Sequence, residues 1–258
     1  MLGRVPFPEF DLSGKVAVVT GAARGIGHHL ALALAKYGAD LVVCDILLSE
    51  LEKVGTQIQQ LSRRALVQQM NVTKLSDINK MVEKSLATYG HLDILVSSAG
   101  INIPQWAEEV TEEAWDKVMN VNLKGLFFCC QAVGKVMIRQ KRGKIINISS
   151  QTGSVGLPQR TAYCSSKAGV NLLTKVLAIE WAKYNIHVNA IAPTFVETPF
   201  TKPMFEKEGF HEYVLENIPL GRVGKPQDVV GGVIYLASDA SDLVTGHILL
   251  IDGGWTAH

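Results

Sequence analysis

Three side chains in the middle of the chain have the types and the spacing for acid–base chemistry. Tyr163 and Lys167 lie four residues apart in a helix-forming stretch, so they share one helix face. Ser150 lies thirteen residues before the tyrosine, directly after a short apolar run. Tyrosine is a poor base at neutral pH, and a neighbouring ammonium favours its phenolate, so we expect Lys167 to lower the pKa of Tyr163. The Ser150 hydroxyl can hydrogen-bond an alcohol or carbonyl oxygen while a proton moves.

A second group of residues has the pattern of a phosphate-binding turn. Gly21, Gly25 and Gly27 stand between a strand-forming apolar run and an Ala/Leu-rich helical stretch. Gly21 allows a tight turn, Gly25 lets a pyrophosphate approach the backbone, and Gly27 lets the helix pack close to the sheet. Free N–H groups at the start of the helix would face the phosphates. The alternative interpretation is a plain strand-to-helix turn.

Two charged residues near this turn favour different cofactors. Asp45 ends the second strand-forming run, where a carboxylate accepts hydrogen bonds from the adenosine ribose and repels a 2′-phosphate. Arg24 lies within the glycine turn and is able to bind a 2′-phosphate. Asp45 carries more weight because it acts directly at the ribose, so the sequence predicts NAD(H) rather than NADP(H). A capping or turn role is the alternative for Asp45.

The elements that must position these residues alternate along the chain. Strands are predicted at residues 15–20, 40–45, 65–69, 92–97, 144–149, 186–192 and 247–251. Helices are predicted at residues 26–37, 49–61, 75–88, 112–139, 162–184 and 226–238, the second capped by Ser49 and Glu52. This alternation predicts one α/β domain over residues 1–258, a Rossmann-like doubly wound parallel sheet of about seven strands with helices on both faces. Ligands of such sheets bind at the carboxyl ends of the strands.

Composition excludes several classes of protein. The chain has 258 residues, of which 47% are hydrophobic and 19% charged, which is unlike a disordered or fibrous protein. Its formal net charge of +1 and the lack of a basic run argue against a nucleic-acid partner. No signal peptide and no apolar run of about 18 residues is found, so we expect a cytoplasmic protein with no membrane partner. The cysteines (Cys44, Cys129, Cys130 and Cys164) show no metal spacing, and we expect reduced thiols and no metal.

Taken together, the motifs resemble the short-chain dehydrogenase/reductase family in its compact form. The resemblance runs from about Leu12 to the C-terminus and rests on the glycine turn, Asn122, Ser150, the Tyr163–Lys167 pair and the Asp-Gly-Gly at residues 252–254. The chain is similar in particular to the gluconate 5-dehydrogenase, 2-dehydro-3-deoxygluconate dehydrogenase and 3-oxoacyl-carrier-protein reductase branches.

The resemblance implies a role for each matching residue. Tyr163 would be the catalytic acid/base, Ser150 the substrate-orienting hydroxyl, and Lys167 would also bind the nicotinamide ribose. Asn122 would break the long fourth helix locally and hold a water of a proton relay. The further cofactor contacts that the resemblance implies are Ile26, Asn71, Val72, Ala99, Gly100, Pro193, Val196 and Thr198. A homotetramer is also implied, although the apolar residues of the fourth helix fit ordinary core packing equally well.

Two positions depart from the family pattern, and one segment differs in character. Ser97 and Ser98 stand where the family has two asparagines, so the hydrogen bonds that brace the central sheet must be made differently. Thr194 stands where the family has glycine, which leaves the local backbone path open. Residues 200–219 carry aromatic and charged side chains between a strand and a helix, as a substrate lid would. Residues 1–11 are expected to form an N-terminal extension.

The function implied is hydride transfer between NAD(H) and a secondary alcohol or ketone. A sugar, sugar acid or polyol is favoured by Asp45 and by the C-terminal pattern. Polar loop residues are candidates for binding substrate hydroxyls, or are ordinary solvated residues: Asn102, Gln105, Gln151, Gln159 and Glu197. The alternatives are an NADP(H)-dependent 3-oxoacyl or ketone reductase and a non-catalytic nucleotide-binding regulator with the same fold.

Overall fold

A seven-stranded parallel sheet forms the centre of the protein, whose computed structural model describes residues 9–257. The strands are β1 (Val16–Thr20), β2 (Asp40–Asp45), β3 (Ala65–Gln69), β4 (Ile94–Ser97), β5 (Gly143–Ile148), β6 (Ile186–Pro193) and β7 (Ile248–Ile251). Their order is β3-β2-β1-β4-β5-β6-β7. This order confirms the predicted doubly wound α/β fold. Residues 1–8 of the expected extension at residues 1–11 lie outside the described residues.

Helices cover both faces of the sheet. They are α1 (Gly25–Lys36), α2 (Leu48–Gln60), α3 (Leu75–Tyr89), α4 (Glu112–Met119), α5 (Leu126–Gln140), α6 (Thr161–Trp181), α7 (Lys202–Phe205), α8 (Phe210–Glu216) and α9 (Pro226–Ala237). One face packs on α1, α2 and α9, and the other packs on α3, α5 and α6. The strands read as continuous apolar runs because both faces of a parallel sheet are buried.

The predicted cap of the second helix is wrong. Helix α2 begins at Leu48, so Ser49 lies inside its first turn. The carboxylate of Asp45, at the end of β2, accepts the backbone N–H of Leu47 at 3.1 Å. The turn that leads into α2 is thus stabilised by Asp45. Because the helix starts before Ser49, Ser49 and Glu52 do not form a capping box.

The long fourth helix is interrupted. One turn of π-helix, Asn120–Gly125, separates α4 from α5, which confirms the break that the family resemblance implied and corrects the uninterrupted helix that periodicity predicted. By length and composition alone, Glu112–Gln140 would also suit a membrane span, with a mean hydropathy of 1.3. Half of that apolar window is buried in the protein, and Leu126, Val133 and Val136 belong to the core. Core packing therefore accounts for the apolar character of this segment.

The sheet is braced by a chain of small polar side chains. The Ser97 hydroxyl lies 3.9 Å from the Cys130 sulfur, which donates to the Asn147 amide oxygen at 3.3 Å. The Asn147 amide nitrogen then donates to Thr174 at 3.0 Å, which links β5 to α6. The backbone N–H groups of Ser98 and Ala99 donate instead to the Thr20 hydroxyl. The departure at Ser97 and Ser98 is thus compensated by neighbours on β1, α5 and α6.

Candidate active site

A cavity of about 840 Å³ opens at the carboxyl edge of the sheet. This volume lies within the usual range for pockets that hold cofactors and small ligands. The predicted site residues that line it are Gly21, Arg24, Gly25, Ile26, Gly27, Asp45, Asn71, Val72, Ala99, Gly100, Ser150, Tyr163, Lys167, Pro193, Val196 and Thr198. Of the predicted set, Asn122 alone is buried behind the wall, with no exposed surface. The strand topology therefore brings residues from distant parts of the chain to one edge.

The glycine turn is closely packed at two of its three glycines. Gly21 has φ +68, and a Cβ there would lie 2.8 Å from the Ala99 backbone. A Cβ at Gly27 would collide with the carbonyl oxygen of Gly21. Gly25 has φ +57 and faces Thr198, whose methyl group would lie 3.5 Å from an added Cβ. The three glycines thus permit the turn, the approach of α1 to the sheet and an open path for a ligand.

The start of α1 suits an anionic group. Arg24 precedes the helix without a side-chain cap, and its first turn contains no acidic residue. The first N–H groups of a helix have no intrahelical partner, and the helix dipole adds partial positive charge there. This end of α1 borders the cavity. The residues present therefore fit the pyrophosphate of a dinucleotide.

Asp45 is held at the cavity wall by two backbone donors. Its Oδ2 accepts the N–H of Ala23 at 3.1 Å and its Oδ1 accepts the N–H of Leu47 at 3.1 Å. Each carboxylate oxygen has a further lone pair for a ribose hydroxyl. Arg24 forms a two-pronged ion pair with Glu50 in the first turn of α2. The Arg24 guanidinium is therefore occupied by the Glu50 carboxylate rather than free to bind a ligand phosphate.

Asn71 is oriented by a local turn after β3. Its amide oxygen accepts both the backbone N–H of Thr73 at 2.9 Å and the Thr73 hydroxyl at 2.8 Å. The amide nitrogen is then the group available to a ligand, as a donor. Thr73 also lines the cavity, which sequence inspection had missed. A polar residue two positions after an asparagine is the signal that would have identified this turn.

Ser150 is placed at the end of β5 by its neighbours. Its hydroxyl donates to the Gln151 amide oxygen at 2.9 Å and accepts from the Thr152 N–H and hydroxyl at 3.2 and 3.0 Å. The sequence makes Gln151 a candidate for binding substrate, and in the structure its amide oxygen accepts the Ser150 hydroxyl. Nothing in the spacing of the sequence indicates this role, because it depends on a turn formed only in the fold.

The charges of Tyr163 and Lys167 differ from the sequence expectation. Burial raises the pKa of Tyr163 to about 12, and the facing Ser150 hydroxyl acts in the opposite direction. Burial lowers the pKa of Lys167 to about 8. The Lys167 ammonium donates to the Ile148 carbonyl at 2.8 Å and lies 5.6 Å from the centre of the Tyr163 ring. The expected lowering of the tyrosine pKa by Lys167 is therefore reversed, because burial acts on both groups and Lys167 loses its proton first.

Asn122 organises the wall beside Lys167. Its amide oxygen accepts the N–H of Ile101 at 2.8 Å, and its amide nitrogen donates to the Ile101 carbonyl at 2.9 Å and to Ser166 at 3.1 Å. A Cβ at Gly100 would lie 3.5 Å from the Asn122 oxygen and 3.8 Å from the Lys167 nitrogen. Asn122 in the π-helical turn thus links the loop after β4 to the part of the cavity wall that contains Lys167.

The predicted lid contains two short helices, α7 and α8. Its aromatic side chains pack on Phe195, which follows β6, and on Trp255 near the end of the chain. Thr201 fastens its beginning, donating to the Val196 carbonyl and accepting the N–H of Thr198 at 3.0 Å. Thr194, a departure from the family pattern, follows β6 and donates its N–H to the Ile251 carbonyl at 3.2 Å. Its hydroxyl is buried and has no partner in the part of the chain that the structure describes.

Comparison with known proteins identifies the class. A family model described as Enoyl-(Acyl carrier protein) reductase matches residues 21–256. The NAD-dependent glycerol dehydrogenase of Listeria innocua is 43% identical over 96% of this chain and 96% of its own. The 3-oxoacyl-[acyl-carrier-protein] reductase of Thermotoga maritima is 44% identical over 94% and 98%. A gluconate 5-dehydrogenase from Burkholderia cenocepacia, solved in complex with NADP and tartrate, has a TM-score of 0.93 at 34% identity and covers 96% of this chain and 98% of its own.

These matches extend over nearly the whole chain, and the fold and site agree with them. The chain belongs to the short-chain dehydrogenase/reductase family. It is an oxidoreductase that acts on alcohol or keto groups and uses a nicotinamide dinucleotide.

Proposed function

We propose that the protein transfers a hydride between NAD(H) and a secondary alcohol or ketone, with Tyr163 as the acid/base. The observation that carries this proposal is one continuous cavity that has Ser150, Tyr163 and Lys167 on its wall together with the glycine turn and Asp45. The cofactor supplies the hydride acceptor or donor at the nicotinamide ring. The protein supplies the proton path and the orientation of the substrate.

The proton path follows from the contacts of these three side chains. In alcohol oxidation, the substrate hydroxyl gives its proton to the Tyr163 oxygen as Tyr163 passes its own hydroxyl proton towards the neutral Lys167 amine, and the Ser150 hydroxyl holds the same oxygen of the substrate. Lys167 loses its proton before Tyr163 does, because its pKa is about 8 and that of Tyr163 is about 12. We assign to Tyr163 and Lys167 one proton that the two side chains share. Lys167 also donates a hydrogen bond to the nicotinamide ribose. Asn122 keeps the loop beside Lys167 in place.

NAD(H) is the cofactor that the charges favour. A 2′-phosphate would meet the Asp45 carboxylate, and Arg24 is engaged by Glu50. The NAD-dependent glycerol dehydrogenase supports this preference, whereas the structure with NADP shows that a relative of this fold takes the phosphorylated cofactor. The remaining predicted contacts, Ile26, Val72, Ala99 and others on the cavity wall, are proposed to bind the dinucleotide.

A sugar acid or a polyol is the substrate class that the relatives support, since their names include glycerol and gluconate dehydrogenases. The second candidate is reduction of a 3-oxoacyl group with NADPH, which the Thermotoga relative favours. The lid at residues 200–219 is proposed to cover the substrate.

A homotetramer in the cytoplasm is the proposed form of the protein. Helix α6 exposes a row of apolar side chains, Leu172, Val176 and Ile179, the last of them 80% exposed. Apolar patches of this kind are typical of subunit interfaces. The four cysteines are free, as expected in a reducing compartment.

The test is oxidation of sugar acids, polyols and simple secondary alcohols with NAD and NADP in parallel, followed by the absorbance of the reduced cofactor. We expect turnover with NAD. Tyr163→Phe should lower kcat by about a thousandfold or more, since general acid–base catalysis and the orientation of the reacting oxygen are both lost, and NADH affinity should change less than about threefold. Normal turnover by Tyr163→Phe would rule out the mechanism. NADH binding without turnover, in either direction, would favour the non-catalytic regulator.

A further inference from the structure

Arg160 is a buried cation close to the reacting tyrosine. It immediately precedes α6, three residues before Tyr163, and is only 6% exposed. Its Nη1 donates to the Gln159 carbonyl at 3.1 Å, and its Nη2 lies 3.7 Å from the Met204 sulfur. Among residues 9–257, no carboxylate forms an ion pair with it. A guanidinium has five N–H donors, so most of its capacity is unused, and a buried unpaired charge is costly.

The residue before Arg160 has an unfavourable backbone conformation that places its carbonyl at the guanidinium. Gln159 has φ +61, a left-handed conformation that is unfavourable for a residue with a side chain. Its carbonyl accepts both the Arg160 guanidinium and the backbone N–H of Gln105, the latter at 3.2 Å. The side-chain oxygens of Gln105 and Asn102 are buried and have no hydrogen-bond partner among the described residues. Strain and unpaired polar atoms of this kind concentrate at ligand sites.

Arg160 and Gln105 form an isolated β-bridge, and Asn102 lies three residues before Gln105 in the same loop. Met204, which touches Arg160, belongs to α7 of the lid. The positive charge of Arg160 acts on Tyr163, whose pKa it lowers against the larger effect of burial. The acidic residues of the lid are all exposed and none reaches Arg160: Glu206, Glu208, Glu212 and Glu216. The charge that would neutralise Arg160 is therefore not part of the described lid.

We propose that Arg160 binds the carboxylate of the substrate, and that the protein prefers hydroxy acids of the sugar-acid class to neutral polyols. This inference rests on the proposed function, since it places the acid beside Tyr163. A thioether is a weak acceptor, so a carboxylate would replace the Met204 sulfur at the guanidinium. A two-pronged, charge-assisted contact would form, and the free oxygens of Gln105 and Asn102 would accept substrate hydroxyls. A neutral polyol supplies the hydroxyls and leaves the buried charge unpaired.

The experiment compares three hydroxy acids with polyols of the same chain length: D-gluconate with sorbitol, tartrate with threitol, and D-glycerate with glycerol. Kinetic constants are measured with NAD, and binding of each acid to the enzyme–NADH complex is measured by calorimetry. We expect at least one acid to exceed its polyol in kcat/KM. Arg160→Gln should lower the ratio of kcat/KM for the acid to kcat/KM for the polyol by about ten- to a hundredfold, mainly through the KM of the acid, because a buried charge-assisted pair is lost. It should weaken binding of the acid to the NADH complex by the same factor.

Two further variants separate binding from structure. Arg160→Lys keeps the charge and should retain more of the acid preference than Arg160→Gln does. Arg139→Gln removes the same charge from an exposed position of α5 and should leave the ratio unchanged. An equal loss of acid and polyol activity in Arg160→Gln and Arg160→Lys would overturn the proposal in favour of a structural role. So would preference of the wild-type enzyme for every polyol over its acid.

The two proposals fail in different ways. Polyol oxidation that depends on Tyr163, with no effect of Arg160 on acid binding, would leave the proposed function standing and exclude the carboxylate site. Acid binding to the NADH complex that depends on Arg160, without oxidation of any probe, would support the carboxylate site and contradict the proposed function. Failure of the NADH complex to bind any of the three acids would also overturn the carboxylate site.

Discussion

The two ends of the cavity are built in different ways. The end at β1–β3 consists mainly of backbone: the glycine turn, the uncapped start of α1, and an aspartate held by two N–H groups. The end at β5–β6 consists of buried side chains that position one another, such as Gln151 with Ser150 and Asn122 with the Ile101 backbone. A glycine-rich backbone excludes most substitutions by steric conflict. A side-chain network tolerates substitutions that keep its hydrogen bonds and charges.

This difference predicts different responses to substitution. Changes at the backbone-built end should affect folding and cofactor binding together, because the same close contacts support both. Changes at the side-chain end should affect catalysis and its pH dependence while the cofactor still binds. A conservative change at the backbone-built end that altered only catalysis, or one at the side-chain end that weakened folding and cofactor binding together, would contradict this difference.

The largest effect on cofactor binding is expected at the backbone-built end. In Gly27→Ala the new methyl group would collide with the carbonyl oxygen of Gly21, so α1 must move away from the sheet. We expect NADH affinity to fall by at least about a hundredfold and the unfolding temperature to fall by several degrees, as for other overpacked sites. Calorimetry and thermal unfolding measure the two effects.

Gly231→Ala is the matched control for this substitution. Gly231 lies in α9, exposed, and an added Cβ there meets nothing within 4 Å. Because alanine is the better helix former, this variant should be unchanged or slightly more stable. NADH binding by Gly27→Ala at the wild-type affinity would contradict the close-packing argument.

The next effect tests the side-chain end through pH. The rate of alcohol oxidation should rise with pH through an apparent pKa near 8, because the proton acceptor must be free and Lys167 loses its proton first. Lys167→Met removes this titration. We expect kcat to fall by about a hundredfold, and the residual rate to rise only above pH 10, towards the Tyr163 pKa of about 12.

Lys175→Met, on the exposed side of α6, removes an ammonium from the same helix and should leave the pH profile unchanged. The profile of kcat against pH is the decisive measurement, since a purely structural role of Lys167 would lower the rate without moving its inflection. An inflection that stays near pH 8 in Lys167→Met would show that another group titrates there.

The fold was predictable because its signals are local. Apart from the interrupted fourth helix, the predicted strands and helices of the sheet end within three residues of the observed ends, since apolar runs and helical periodicity report the burial of apolar side chains. The interrupted fourth helix escaped that method, because the residues of Asn120–Gly125 are compatible with a regular helix. Asn122 of this turn contacts the Ile101 backbone, and that contact exists only after β4 and α4 have packed.

The site was predictable for the same reason at one end and not at the other. Glycines and an aspartate at the ends of strands indicate a nucleotide site through spacing alone. The pairing of Arg24 with Glu50 and the contact of Gln151 with Ser150 depend on neighbours that only the fold defines. The sequence expectation for the Tyr163 pKa had the wrong direction because the burial of this polar side chain, which an apolar pattern does not indicate, exceeds the effect of nearby charge.

The smallest effect expected is on the choice of cofactor, where one side-chain charge acts within the backbone-built end. Asp45→Asn keeps the size of the side chain and an oxygen for the Ala23 N–H, and removes the charge that repels a 2′-phosphate. The kcat/KM ratio of NADP to NAD should rise by about ten- to fiftyfold, as expected for one charge at the protein surface. Adding Glu50→Gln frees Arg24 and should raise the ratio by about threefold more, the size of an exposed ion pair. Adding Arg24→Ala to that double variant should cancel the last gain. If Arg24→Ala changes nothing, the gain comes from loss of the Glu50 charge alone, and the ion pair has no part in cofactor selection.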